Sequence, residues 1–117
     1  MSDVIKELYE VILSRRTSAD ESSYTAYLFS EGLDKILKKV GEESAETIIA
    51  AKSLEAALAN SFAEDKRADL TNEVADLIYH VLVMLAERGV AWDEIEDILA
   101  ERAGKTGNLK TPRGAAR

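Results

Sequence analysis

Apolar residues recur at helical spacing along most of the chain. The first group consists of Val4, Ile5, Leu8, Val11 and Ile12. Positions three and four residues apart lie on one face of an α-helix, so this group predicts an amphipathic helix. Ser2 is the predicted N-cap, and we expect the helix to end near Arg15, before a polar loop over residues 17–23.

Two more helices are predicted before the middle of the chain. Ser22 or Ser23 can cap a short helix over residues 24–31, and Gly32 allows the chain to break after it. A longer helix is expected from Leu33 into the low fifties. Its predicted apolar side consists of Leu33, Ile36, Leu37, Val40, Ile48, Ala51 and Leu54. A connection is expected within residues 55–64, where the sequence becomes Ala-rich and then polar.

The most regular pattern lies between about residues 65 and 88. Its heptad-like seam consists of Leu70, Val74, Leu77, Val81 and Met84, widened by Ile78, Leu82 and Leu85. Arg88 followed by Gly89 predicts the end of this helix, because a cation and then a glycine are typical of helix C-termini. We expect an apolar face this broad to be buried on more than one side. Its surface is larger than four short helices of one chain easily cover.

These patterns predict one all-α domain. The chain has 117 residues, six glycines and one proline, a composition rich in helix formers. A last helix over residues 92–103 is expected to bury Trp92, Ile95, Ile98 and Leu99. We therefore expect a helical bundle of about four to five helices over residues 1–104, with a core completed by dimerisation. Residues 105–117 are expected to form a mobile basic tail.

The net charge of the chain limits the classes of partner that it can bind. It has 22 acidic and 15 basic residues, a formal net charge of −7. A chain this acidic, without a long basic cluster, is a poor match to nucleic acids or anionic membranes. No apolar run reaches the roughly 18 residues of a membrane span, and the N-terminus has no signal-peptide pattern. Cysteine is absent, which excludes thiolate metal sites and fits our expectation of a cytoplasmic protein.

Two acidic pairs interrupt the helical patterns. Glu43 and Glu46, beside Glu42, lie in the helix that starts near residue 33, and Glu73 and Asp76 lie in the next long helix. Carboxylates three residues apart lie one above the other, roughly 5–6 Å apart at Cβ. Four such groups repel one another unless a cation lies between them, and a hard divalent cation is the usual one.

A helical projection places the two pairs at equivalent positions. At roughly 100° per residue, each pair borders the same edge of its own apolar face, with Glu43 and Glu73 closest to the core. Antiparallel packing brings the two edges to one side, whereas parallel packing separates them. A short connection favours antiparallel packing, and with that packing the spacing predicts a cleft lined by Glu43, Glu46, Glu73 and Asp76. Glu42 projects roughly 100° away from Glu43.

A solvated acidic surface is the competing interpretation of the same residues. Lys39 lies four residues before Glu43 and can neutralise it as an ordinary surface ion pair. His80, the only histidine, lies one turn after Asp76. It is either a surface histidine bonded to Asp76 or a contact to a metal or substrate.

Residues other than the carboxylates are weaker candidates for a functional site. We interpret Tyr24, Tyr27 and Tyr79 as core or rim residues rather than base-stacking ones. The sequence has no glycine-rich phosphate loop, and with one histidine and no cysteine it has no Ser-His-Asp or Cys-His arrangement that we can identify.

Five stretches of the sequence match a known family. They are residues 23–26, 32–36, 39–46, 73–76 and 77–80, with Lys-Val-Gly-Glu-Glu at 39–43 and Leu-Ile-Tyr-His at 77–80. In these motifs the chain resembles the phosphoribosyl-ATP pyrophosphohydrolases, all-α enzymes with E-x-x-E followed at a distance by E-x-x-D. The likeness runs from about Val4 to Arg102. Residues 53–66 are longer than we expect for compact members and are interpreted as a loop or helix extension.

The resemblance implies a reaction and a set of roles. The reaction is hydrolysis of phosphoribosyl-ATP to phosphoribosyl-AMP and pyrophosphate, the second step of histidine biosynthesis. Glu43, Glu46, Glu73 and Asp76 would hold Mg²⁺, for which Mn²⁺ can substitute, and Glu42 or Glu46 would accept a proton from the attacking water. The candidate substrate contacts are Lys39, Lys38, Lys52, Asn72, Tyr79 and His80. The resemblance also implies a homodimer, and Lys52, which projects away from the acidic edge, would act only across the subunit interface.

Two other functions fit the same carboxylates. One is a housecleaning pyrophosphatase that acts on other nucleoside triphosphates. The other is a non-catalytic acidic helical interaction module whose carboxylates are solvated. Assays of pyrophosphate release and of metal binding distinguish these two functions from the hydrolysis of phosphoribosyl-ATP.

Overall fold

The chain forms an all-α fold. The computed structural model describes residues 3–17, 23–57 and 63–104, and within them it has five α-helices and no strand. The helices are α1 (Val4–Arg16), α2 (Tyr24–Glu31), α3 (Leu33–Ala57), α4 (Ala63–Arg88) and α5 (Trp92–Ala103). The predicted fold class is confirmed, while the expected tail over residues 105–117 lies outside the described part of the chain.

Side chains cap several helix ends. Asp3, not Ser2, is the N-cap of α1, and its carboxylate accepts a hydrogen bond of 3.0 Å from the backbone N–H of Lys6. The prediction of Ser2 was therefore wrong by one residue. At α2 the predicted cap Ser23 accepts a bond of 3.3 Å from the backbone N–H of Ala26. Such caps satisfy N–H groups that have no partner within the helix.

The two long helices α3 and α4 pack against each other along much of their length. Their direction follows from the residues that meet. Glu43 of α3 lies 3.9 Å from His80, whereas Ser53, further along α3, shares a cavity with Lys66, which precedes His80 by 14 positions in α4. Moving forward along α3 thus means moving backward along α4. The helices are antiparallel, which is the arrangement that the predicted carboxylate cleft requires.

The core lies where α1, α2 and the start of α3 meet the C-terminal half of α4. Its buried members are Tyr9, Ile12, Leu28, Ile36, Leu82, Val83 and Ala86. Two polar side chains of α1 also hold the end of α4: the Tyr9 hydroxyl donates to the carbonyl of Val90 at 2.6 Å, and Arg16 donates to that of Ala86 at 2.7 Å. A guanidinium at the end of α4 also faces the negative pole of the helix dipole.

Some predicted core residues are exposed in the single chain. On α5 no residue is buried, and Ile98 and Leu99 are about half exposed, although both were expected in the core. On α3, Leu37 and Ile48 are exposed in the same way. The physical reason is that α5 packs chiefly on α1, and none of the described helices covers the outer faces of α3 and α5. Within the described residues, no helix is long and apolar enough to cross a membrane.

Two glycines, one inside α3 and one directly after α4, provide a matched test of this fold. Gly89 has a φ of 72°, in the left-handed region, whereas Gly41 lies inside α3. A Cβ added at either position would meet no atom within 4 Å. We expect Gly89→Ala to destabilise the protein by about 1–2 kcal/mol because of the left-handed backbone. Gly41→Ala should stabilise it by about 0.5–1 kcal/mol through the greater helix propensity of alanine.

Urea denaturation followed by circular dichroism measures both changes. The same sign for the two substitutions would contradict the backbone conformations described above.

Candidate functional site

Three carboxylates from α3 and α4 converge at the middle of the helix pair. One oxygen from each of Glu43, Glu73 and Asp76 can be chosen so that all lie within 4.8 Å of one another. Each comes from one of the two acidic pairs that the sequence places at the edge of an apolar face. The antiparallel arrangement brings these edges together, so periodicity and packing direction together account for the cluster.

The two carboxylates nearest the core have oxygens without partners. Glu43 is buried, and the Oε2 atoms of both Glu43 and Glu73 are inaccessible to solvent and accept no hydrogen bond from the described residues. An unpaired buried oxygen of an ionised group is costly, and native proteins rarely leave one. These two oxygens therefore fit a site in which a cation supplies the missing contact.

Glu46 is the fourth acidic member of the group. It is exposed, and its carboxyl lies close enough to Glu43 and Glu73 to alter the titration of both. A hydrogen bond to Glu46 is the largest cause that raises the pKa of Glu73 to about 7, followed by burial and by repulsion from Glu46, Glu43 and Asp76. Burial is the largest cause that raises the pKa of Glu43, and Glu46 and Asp76 add to it, whereas His80 opposes it. Without a cation, the cluster thus holds protons more tightly than isolated carboxylates do.

One lysine lies at the edge of the cluster. Lys39 Nζ is 3.8 Å from Glu43 Oε1, the ion pair that the i, i+4 spacing predicts. A single ammonium group faces at least three carboxylates here, so it does not balance their charge. Its side chain is half-buried, which positions it to contact an anion bound beside Glu43.

His80 is buried between α2 and α4. Its Nδ1 lies 2.8 Å from the backbone carbonyl of Asp76, and its Nε2 lies 2.9 Å from the hydroxyl of Tyr24. Because a carbonyl only accepts, Nδ1 carries a proton and donates it to Asp76, while Nε2 is the atom that bonds to Tyr24. The interpretation of His80 as a surface histidine is wrong, because the packing of α2 covers it.

Tyrosine rings line the same end of the site. The ring of Tyr24 is offset-stacked on those of Tyr27 and Tyr79, with centroids 6.3 and 6.2 Å apart. The hydroxyls of Tyr79 and Thr25 are hydrogen-bonded to each other. Tyr24 and Tyr27 are exposed, by 46% and 43%. Sequence reasoning classed these tyrosines with the core or its rim, although a Tyr-x-x-Tyr spacing that places two rings on one face of α2 was a usable signal.

The other predicted contacts lie apart from the cluster. Lys52 is exposed and forms an ion pair with Glu55 one turn later. Glu42, Lys38 and Asn72 are exposed, and Glu42 does not belong to the group of converging oxygens. The structure thus brings Lys39, Tyr79 and His80 to the site and leaves the remaining predicted contacts on the outer surface of the single chain.

A cavity of about 260 Å³ opens at the other end of the carboxylate cluster, between α3 and α4. Its lining residues are Glu46, Ile49, Ala50, Ser53, Lys66, Asp69 and Glu73. Glu46 and Glu73 belong to both the cavity and the cluster, so the two spaces are continuous. The carboxylates therefore lie between an aromatic surface at one end and a partly apolar cavity at the other.

The donor set suits one kind of ion. All candidate ligand atoms are carboxylate oxygens, which hard cations such as Mg²⁺ prefer, and neither cysteine nor the histidine belongs to the converging group. Such a site, with few protein ligands and an open side, leaves room for water and for phosphate oxygens. The arrangement can therefore support metal-assisted hydrolysis of a phosphate ester or anhydride.

Comparison with known proteins agrees with this chemistry. The family model of phosphoribosyl-ATP pyrophosphohydrolase matches residues 5–103. A phosphoribosyl-ATP pyrophosphatase of Lactiplantibacillus plantarum is 52% identical over 91% of this chain and 90% of its own length. Proteins of the same name from Clostridium novyi and Pelotomaculum thermopropionicum are 47% and 52% identical, over 95% and 88% of this chain and 91% of their own lengths. The chain therefore belongs to the phosphoribosyl-ATP pyrophosphohydrolase family of hydrolases.

Proposed function

We propose that this enzyme hydrolyses phosphoribosyl-ATP between its α and β phosphates, with Mg²⁺, to phosphoribosyl-AMP and pyrophosphate. This reaction is the second step of histidine biosynthesis. The observation that carries the proposal is the pair of buried, partnerless oxygens of Glu43 and Glu73 beside Asp76. The names of the relatives support the substrate, and the oxygen-only cluster supports the metal.

Glu43, Glu73 and Asp76 would hold the ion, with Glu46 as a fourth carboxylate beside them. A bound Mg²⁺ neutralises the triphosphate, polarises the attacked phosphorus and acidifies a bound water. Mn²⁺ accepts the same oxygen ligands and is expected to substitute. Oxygen ligands on two antiparallel helices are held by the packing of α3 on α4, so their geometry is set before the substrate binds.

Glu46 is our candidate for the proton acceptor. Its carboxyl adjoins Glu43 and Glu73 and also faces the open cavity, so it can reach a water at the edge of the cluster. In the step, the water oxygen bonds to the α phosphorus, the bond from that phosphorus to the bridging oxygen breaks, and Glu46 takes the proton. Glu42, the other candidate, lies outside the converging group on the exposed side of α3.

Lys39 is our candidate for binding the phosphates. It is the lysine nearest the cluster, and its ammonium is already placed beside Glu43. Lys38 and Lys52, which the sequence also offered, are exposed, and the ion pair with Glu55 engages Lys52. A charge that partly offsets the acidic cleft helps an anionic substrate to approach.

Substitutions in the cluster test the proposed reaction. Glu43→Gln and Asp76→Asn should each lower the rate of pyrophosphate release from phosphoribosyl-ATP at least about 100-fold, because each removes a metal ligand. Helical content should stay unchanged, since neutralising one group in a repelling cluster does not destabilise the fold. Glu10→Gln, on the exposed side of α1, is the matched control and should retain wild-type activity.

The same assay tests the substrate. Phosphoribosyl-ATP should be the preferred substrate over dUTP and dCTP. Preference for the deoxynucleotides would assign the enzyme to housecleaning of nucleoside triphosphates and would overturn the proposed substrate. Full activity of the Glu43→Gln and Asp76→Asn variants would overturn the proposed metal site.

The raised pKa of Glu73 predicts how stability depends on pH. Without metal, the free energy of unfolding should fall as pH rises from about 4.5 to about 7, because the folded state there binds more protons than the unfolded chain. The raised pKa of Glu43 acts in the same direction. Mg²⁺ should oppose this loss, so the increase in melting temperature on adding Mg²⁺ should be larger at pH 8 than at pH 5.

Thermal unfolding at a series of pH values, with and without MgCl₂, measures this dependence. Glu73→Gln should flatten the metal-free profile, and Glu10→Gln should leave it unchanged. A metal-free profile that rises through this pH range would refute the account of the cluster.

We further propose that the enzyme is a homodimer. Leu37 and Ile48 on α3 and Val74 and Ile78 on α4 are all exposed apolar residues. At roughly 100° per residue they project on the edges of α3 and α4 that lie opposite Glu46 and Asp76. One side of the helix pair is thus acidic and the other apolar, so a second copy could cover the apolar side without closing the cleft.

Charge substitutions on this apolar side test the dimer. Ile48→Glu and Ile78→Glu should convert the dimer to monomer in analytical ultracentrifugation, because each would bury a carboxylate in the interface. Val11→Glu, at an equally exposed apolar position on α1, should leave the dimer intact. A monomeric wild-type protein at micromolar concentration would contradict the proposal.

A further inference from the structure

Two tyrosine rings are exposed beside the carboxylate cluster although nearby apolar side chains are buried. Tyr24 and Tyr27 lie one turn apart on α2, and each has more than two fifths of its surface accessible. Leu28, next to them on the same helix, is fully buried. The helix thus points Leu28 inward and leaves two aromatic side chains partly accessible to solvent, an arrangement typical of surfaces that bind planar ligands.

The rings are held in place by contacts on their inner side. The Tyr24 hydroxyl is hydrogen-bonded to His80 Nε2, and Nδ1 of the same ring donates to the carbonyl of Asp76. The centroid of the Tyr24 ring also lies 6.3 Å from that of Tyr27 and 6.2 Å from that of Tyr79, with interplanar angles of 28° and 23°. Exposed side chains usually exchange rotamers freely, so a ring restrained at its hydroxyl and along its plane loses little entropy when a ligand stacks on it.

The position of the rings suits a nucleotide whose phosphates lie at the carboxylates. Tyr24 bonds to His80, and Nδ1 of that same ring is 3.9 Å from Glu43 Oε1. Lys39 lies near both Glu43 and Tyr24, because its ammonium forms an ion pair with Glu43 and its charge acts on the Tyr24 hydroxyl. Aromatic rings, a cation and carboxylates thus follow one another along the site, in the order in which a nucleotide presents its base, phosphate and metal-bound phosphate.

We propose that the exposed side chains of Tyr24 and Tyr27 bind the adenine base of the substrate by stacking. The proposal rests on the proposed function only in taking the substrate to be an adenine nucleotide. Each stacked base contributes about 1–3 kcal/mol in other aromatic sites, which corresponds to roughly 5-fold to 150-fold in affinity. Stacking does not depend on hydrogen-bond readout, so the two rings supply affinity for a flat base while the carboxylates and Lys39 set the position of the phosphates.

The cavity at the opposite end of the cluster is the rival position for the base. Its rim carries Glu46, Asp69 and Glu73, and its Lys66 forms an ion pair with Asp69 at 3.7 Å. It offers aliphatic surface but no aromatic ring. The tyrosines are therefore the better match to a purine, and a substitution at Ser53 provides the test of the cavity.

The test compares the binding of AMP and ribose 5-phosphate to the full-length protein by isothermal titration calorimetry in saturating MgCl₂. The two ligands share the sugar phosphate, so the ratio of their affinities measures the base alone. Wild type should bind AMP at least about fivefold more tightly. Tyr27→Leu and Tyr24→Leu should remove most of this ratio, whereas Tyr27→Phe, which keeps the ring, and Ser53→Leu, in the cavity, should retain it.

Three results would overturn the proposal. The first is a wild type that binds the two ligands equally. The second is a Tyr27→Leu variant that keeps the preference for AMP, whether or not its oligomeric state changes. The third is loss of the preference in Ser53→Leu but not in Tyr27→Leu, which would place the base in the cavity.

Steady-state kinetics separate this proposal from the proposed reaction. Tyr27→Leu should raise the KM for phosphoribosyl-ATP at least about fivefold with kcat within about twofold of wild type, because the base contact is the same in substrate and transition state. If wild type releases pyrophosphate but Tyr27→Leu leaves KM unchanged, the base site is wrong and the reaction stands. If wild type releases none yet shows a Tyr27-dependent preference for AMP, the reaction is wrong and the base site stands.

Discussion

Repulsion among carboxylates held at one point of a helix pair is the constraint on which the site depends. Glu43, Glu73 and Asp76 converge within a few ångströms, and the first two have oxygens that neither water nor the described protein groups reach. Such an arrangement persists in the absence of metal only because apolar packing elsewhere holds α3 against α4. Ile36 and Leu82 belong to the core that supplies this packing. The fold thus stores electrostatic repulsion that a cation can relieve. The desolvation that raises the pKa of Glu43 also strengthens the attraction of its carboxylate to a divalent ion.

The two short N-terminal helices position the aromatic part of the site. α1 bonds to the end of α4 through Arg16 and to Val90 through Tyr9. α2, which packs on α1 and α3, places Tyr24 against His80. His80 also donates from Nδ1 to the carbonyl of Asp76 on its own helix, which orients its ring toward Tyr24. The carboxylate cluster and the aromatic side chains therefore meet within one turn of α4, from Asp76 to His80. The proposed metal and base sites would then lie at opposite ends of one nucleotide.

The sequence predicts most of what depends on local periodicity. The bounds of α2 and α5 follow from residue spacing, because a helix turns by roughly 100° per residue whatever surrounds it. The convergence of Glu43, Glu73 and Asp76 follows from the same spacing once α3 and α4 are antiparallel. What depends on distant packing could not be predicted in this way. The bond between Tyr24 and His80 joins residues 56 positions apart, and the burial of His80 requires α2 to lie across it. The exposure of Ile98 and Leu99 has a similar origin, since an apolar pattern reports that a face avoids water but not which chain covers it.

The most direct measurement of the central claim is the position of a bound ion. Crystals of the protein grown with MnCl₂, with diffraction data collected at the manganese absorption edge, locate the metal by its anomalous scattering. The account predicts an anomalous peak within coordinating distance of carboxylate oxygens of Glu43, Glu73 and Asp76, roughly 2–2.5 Å from each. A fully occupied peak elsewhere on the protein, with none at these three residues, would contradict it.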